Sequence, residues 1–175
     1  MIGLERDTVR LAPYEPKWAH LYGAERARLQ AAVGEHVLDI QHIGSTAIPG
    51  IVAKPILDIA IAVRSFEAAH VCVAPIEALG YEYRGENGIP RRHYFVRHDP
   101  HTGHTLIHLH MVEVDGPDWE NQILFRDYLL AHSEAAAEYT ALKRDLAAKY
   151  PHDREAYTDA KAPFIEHILR LARAE

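Results

Sequence analysis

The chain has 175 residues, 48% of them hydrophobic and 25% charged, which suits one soluble domain able to bury a core. A formal net charge of −6 excludes an extended nucleic-acid footprint, though not the binding of one nucleotide. No apolar run is long enough to span a bilayer, the acidic start MIGLERDTVRL has no signal-peptide core, and the single Cys72 cannot close an internal disulfide. A cytoplasmic setting is expected.

In chain order, Thr8–Leu11 reads as a short first strand, and Glu15-Pro16-Lys17-Trp18 opens an amphipathic helix to about Ala32. Trp18, Leu21, Tyr22 and Leu29 share a face that Glu25 interrupts. His36–Ile43 reads as a strand ending in Gly44-Ser45-Thr46 and a Pro/Gly turn. Ile56–Val63 is a strand too apolar to face water on either side. Phe66–Leu79 has helical character despite Pro75. Gly80–Arg84 and His93–Arg97 are strands joined by the loop 85–92, and Thr105–Val114 is another. Pro117–Ala131, Ser133–Lys149 and Asp153–Ala172 are helices, the last kinked or restarted at Pro163. Strands first and helices last make an α+β fold with a mixed sheet and a C-terminal helical segment, over one domain, residues 1–175.

The chemistry concentrates around Gly44 and Asp58. Small residues let backbone N–H groups approach an anion, and Ser45 and Thr46 add hydroxyls. Asp58, in an oily strand, requires a metal, a cation or a donor. Strand alternation puts Asp58 on one face with Ile56, Ala60 and Ala62, and puts His108 and His110 together on a face of their own strand. Two imidazoles at i, i+2 lie about 7 Å apart along a strand and can lean onto one ion. A metal set of Asp58, His108 and His110, joined by His42, follows as an expectation; its imidazoles suit Zn, Mn or Fe rather than Mg, and the cofactor expected is a divalent metal, Mg, Mn or Zn. The plain alternative is a histidine hydrogen-bonded to Asp58.

Lys54 and one of the adjacent Arg91 and Arg92, here taken as Arg92, are candidate phosphate contacts. Arg154, Tyr157 and Lys161 share a helical face, on which a base could stack over Tyr157 while Lys161 reaches phosphate. The same face could equally dock through Tyr157, Ala160 and Phe164. Thirteen histidines against five lysines are otherwise mostly surface residues.

The segments HIGSTAIPG, AKPILDI, YEYRGENGIPRRHYF, HLHMVEV, LFRDYLLAH and REAYTDAKAPFI, in this order and spacing, resemble the GrpB family over nearly the whole chain. The resemblance implies a nucleotidyltransferase-type sheet and a nucleotide or phosphorylated small molecule as ligand. It also implies a divalent metal on Asp58 as the catalytic carboxylate. Related modules fused to dephospho-CoA kinases imply the alternative of a non-catalytic module that binds or helps fold a protein partner. A third reading is a metal-dependent hydrolase built on Asp58, His108 and His110. The chain departs from the superfamily pattern at Ala60, where active nucleotidyltransferases carry a second carboxylate.

Overall fold

The computed structural model describes residues 1–175. Its centre is a five-stranded sheet: β1 (Asp39–Ile43), β2 (Leu57–Val63), β3 (Tyr81–Tyr83), β4 (Arg92–His98) and β5 (Thr105–Glu113), in spatial order β1-β2-β5-β4-β3. β2 and β5 pair in parallel and the other neighbours antiparallel, so the sheet is mixed and the fold α+β. β2 lies inside the sheet with every residue but Asp58 buried, which is why it reads as a continuous apolar run.

The helices are α1 (Lys17–Val33), α2 (Val73–Glu77), α3 (Pro117–Ala131), α4 (Ser133–Lys149), α5 (Arg154–Ala160) and α6 (Ala162–Ala174). One sheet face, bearing Leu57, Ile59, Ile61, Phe95, Leu109 and Met111, packs against Trp18, Leu29 and Val33 of α1 and Ile76 of α2. A second apolar cluster joins Ile48 and Ile51 of the turn after β1 to Leu129, Ala136, Tyr139 and Ile168 of the C-terminal helices. That cluster seats the Gly-Ser turn against α4.

Glu25 interrupts the α1 stripe for a reason. Only 5% exposed, it accepts hydrogen bonds from Tyr81 Oη (2.7 Å), Arg97 Nη1 (2.9 Å) and Arg28 Nη1 (2.9 Å), so α1 is tied to β3 and β4 by a satisfied charge.

Two local expectations change, and one on the last helix holds. Thr8–Leu11 is no strand: the N-terminal segment makes only isolated bridges, at Leu4 with Thr105 and Ala12 with Ala53. Val9 instead donates its N–H to the Pro151 carbonyl, and Arg154 binds the carbonyls of Glu5 and Thr8. The helix expected over 66–79 divides into a 3-10 turn (Ala68–Cys72) and the short α2, because Pro75 lacks an N–H and can sit only in a first turn. Pro163 restarts the last helix, leaving Lys161 at the junction of α5 and α6.

Candidate phosphate and carboxylate site

The parallel register sets Asp58 beside His108 and Ala60 beside His110, while the antiparallel register sets Tyr94 beside His110. Cross-strand partners share a face, so Asp58, His108, His110, Tyr94 and Arg92 all project from the sheet face opposite α1. His110 Nε2 lies 3.2 Å and His108 Nδ1 3.5 Å from the same oxygen, Asp58 Oδ1. Burial alone pushes the Asp58 carboxyl up, but the hydrogen bonds and charge of His108 and His110 outweigh it and hold the group well below the usual carboxylate range. Burial lowers the His108 imidazole, against the opposing pull of Asp58. The Tyr94 hydroxyl is pushed up to about 12 by burial and by the charge of Asp58.

Arg92 fixes how His110 meets Asp58. Its Nη1 stands 3.3 Å from His110 Nδ1, its guanidinium carbon 4.3 Å over the Tyr94 ring, and its remaining donors bind the carbonyls of Glu86 and Asn87. A guanidinium has donors only, so His110 must offer a lone pair at Nδ1 and carry its proton at Nε2, aimed at Asp58. To ligate a metal through Nε2 it would move that proton to Nδ1, donor against donor. Consistently, no three His, Cys, Asp or Glu side chains are arranged to hold a metal ion. With Ala60 at the second carboxylate position, a resident two-metal centre does not fit these residues.

His42, expected among the metal ligands, is on the wrong face. It pairs with Ile59 and stacks on Tyr22 of α1 (4.8 Å), while Ile43 is the neighbour of Asp58. Its Nε2 meets Thr46 Oγ1 at 2.9 Å, and burial pulls the imidazole down to about 4. Thr46, 1% exposed, has therefore spent its hydroxyl inside and offers no side-chain contact to a ligand.

The Gly44 turn abuts Asp58. Gly44 has φ +69°, and a Cβ there would stand 3.0 Å from Asp58 Oδ2, so the close approach and the conformation both require glycine. From this turn Ser45 meets one amine, and two others gather over the nearby Tyr157 ring. Lys143 of α4 reaches Ser45 Oγ at 2.8 Å and the Val52 carbonyl. Lys54 and Lys161 lie 5.2 and 4.7 Å from the centroid of the Tyr157 ring. Lys54 is pushed down to about 7 by burial, then by Lys161 and Arg154, against the pull of Asp58. Lys143 is pushed down to about 6 by burial, then by Lys161 and Lys54. Lys143 is thus bound to the Gly-Ser turn, while Lys54 and Lys161 share the Tyr157 ring.

Tyr157 is 1% exposed, so it cannot stack a base; its ring is the platform that the Lys54 and Lys161 amines share. Arg154, expected beside it, anchors the N-terminal segment instead. Arg91 points away, bound to Glu67 and Glu113, and this leaves Arg92 as the arginine on the site face. Lys143 is the residue that sequence reasoning missed. It continues the Ala136–Tyr139 face of α4 at i+7, and a lysine extending a buried stripe was the available signal.

The fold is of nucleotidyltransferase type. A crystal structure of the conserved protein GrpB from Enterococcus faecalis is similar with TM-score 0.84 and 31% identity, covering 93% of this chain and 96% of that one. The Cid1 poly(U) polymerase with Mg 3'-dATP bound is similar in fold alone, with TM-score 0.56 and 12% identity over 86% of this chain and 49% of that one. The chain is 37% identical to glutamate-rich protein GrpB of Alkalihalophilus pseudofirmus over 97% of this chain and 98% of the relative. It is 42% identical to UPF0157 protein YqkA of Bacillus subtilis, covering 90% of this chain but spanning only 45% of that protein. It is 33% identical to a dephospho-CoA kinase of Mycolicibacterium paratuberculosis, covering 97% of this chain and spanning 47% of the kinase. No helix is long and apolar enough to cross a membrane. Because the family model described as GrpB protein matches residues 8–171, most of the length whose geometry is given above, this chain belongs to the GrpB family.

Proposed function

We propose that the Asp58 face of the sheet binds a nucleotide or a phosphorylated small molecule, with its phosphates on the Gly44-Ser45 turn. The observation that carries this reading is the pair of amines, Lys54 and Lys161, gathered over the Tyr157 ring, with a third, Lys143, bonded to Ser45 Oγ. Crowding buried amines is costly in the empty protein, and a multiply charged anion relieves that cost. Arg92 holds His110, and His110 with His108 holds Asp58 ionised; Asp58 then accepts hydrogen bonds from a ligand hydroxyl or amine. Asp58 is also the one carboxylate here available to a divalent ion carried in with the phosphates. The solved neighbour with Mg 3'-dATP bound supports this class of ligand.

A second reading keeps the binding and drops the turnover. Ala60 cannot supply the second carboxylate that two-metal transfer needs, and kinase-named relatives carry this segment as about half their length. A binding module serving a partner fits both facts. A metal-dependent hydrolase fits less well, because Arg92 keeps His110 Nε2 protonated.

A thermal-shift panel of inorganic phosphate, nucleoside mono-, di- and triphosphates and their unphosphorylated nucleosides tests the reading. Stabilisation that grows with phosphate number and is absent with nucleosides is the expected result. A flat panel contradicts it.

A further inference from the structure

Lys143 is 1% exposed, and its amine contacts no carboxylate. Its partners are Ser45 Oγ at 2.8 Å, the Val52 carbonyl and the ring of Tyr139 on its own helix, 4.5 Å away. The charged groups facing it from other segments are Lys54 before β2 and Lys161 at the α5–α6 junction, both cations. A buried amine among cations, without a counter-ion, sheds its proton readily, and above about pH 6 it is neutral. One N–H of the neutral amine goes to the Val52 carbonyl, and the nitrogen, 2.8 Å from Ser45 Oγ, then has a lone pair able to accept the Ser45 hydroxyl proton. Nucleophile, adjacent base and a group orienting the base are then in place.

We propose that Ser45 and Lys143 form a nucleophile–base pair that opens a phosphoanhydride. The substrate class rests on the phosphate-binding reading above; the pair itself rests on the Ser45–Lys143–Val52 geometry. Ser45 Oγ bonds to phosphorus, and the anhydride P–O bond breaks with its electron pair leaving on the departing phosphate oxygen. The Oγ proton passes to Lys143 Nζ. Lys54 and Lys161 offset the negative charge on the transferred and departing phosphoryl groups. The products are a phosphoester on Ser45 and a free phosphate or pyrophosphate. The competing role, a tether holding α4 to the turn, gives Lys143 an effect on stability but none on the reactivity of Ser45.

A fluorophosphonate ester separates the two, since attack by Oγ forms an O–P bond, expels fluoride and leaves a stable adduct. Intact mass and peptide mapping of the wild type should show one adduct on Ser45, absent in Ser45→Ala. The rate should level off above about pH 6, the range in which Lys143 loses its proton. Lys143→Met and Lys143→Arg should slow labelling roughly 100-fold or more, the scale of a lost general base. A folded wild type that gives no Ser45 adduct, or a Lys143→Met variant labelled as fast as wild type, overturns the proposal. The wild-type pH profile needs no variant to fold, and a rate rising without inflection to pH 9 also overturns it. Phosphate-dependent stabilisation without an adduct defeats the pair alone. An adduct without such stabilisation leaves the pair standing and defeats the phosphate reading.

Discussion

His110 stands 3.2 Å from Asp58 across the parallel β2–β5 pair, one rung from the histidine directly opposite. The contact is directional because Arg92 occupies the other ring nitrogen of His110. A half-buried carboxylate in an apolar strand is thereby satisfied by the fold itself rather than by an ion.

Chelator-treated protein should therefore gain no thermal stability from Zn, Mn or Mg. Arg92→Leu removes the opposing donor, frees the tautomer of His110 and should introduce a Zn-dependent gain. Nitrogen-15 NMR should find His110 as the Nε2–H tautomer in the wild type. A Zn-dependent gain in the wild type that Asp58→Ala abolishes would contradict this account.

Anion binding should take up protons. Lys54 carries a pKa lowered to about 7, and a bound phosphate favours its charged form. Affinity for a nucleoside triphosphate should rise as pH falls from 8 to 6. Calorimetry in two buffers of different ionisation enthalpy reads the proton uptake directly; equal heats in both would reject the linkage.

Lys143 sets a sign for stability. Lowered in the folded state, Lys143 is neutral above about pH 6 while the unfolded chain stays protonated to about 10. The unfolded state then binds more protons, so the contribution of this lysine to stability rises with pH through that window and vanishes below it. Lys143→Met should flatten the rise between pH 6 and 9 in urea unfolding, and an unchanged slope would count against a buried, uncharged amine.

Glu25→Ala should cost about 2–3 kcal/mol, less than the full value for breaking a buried pair because Arg28 and Arg97 keep partial access to water. Urea unfolding measures it. A cost under about 0.5 kcal/mol, as for an ordinary surface pair, would show that the network contributes only locally.

Much of the site was legible from strand parity. Alternation puts Asp58 on one face and His108 with His110 on one face, and the segment order implies that the strands lie close. Parity also contained the error over His42. One residue before Ile43, the neighbour of Asp58, it must point to the α1 side, and counting back from the turn shows this. Tertiary context decided the rest. Thr8–Leu11 has strand composition, yet Arg154 and Pro151 take the bonds a sheet would have offered. Nothing local announces that Lys143, 98 residues after Ser45, ends at its hydroxyl.

The central claim, that the amines at the Gly44-Ser45 turn hold phosphate, is tested most directly by calorimetric titration of a nucleoside triphosphate into wild type, Lys54→Met and Lys161→Met. Each lysine makes a charge-assisted contact worth about 1.5–3 kcal/mol, so each variant should bind roughly 10- to 100-fold more weakly while remaining folded. Equal affinity in all three proteins would contradict the account.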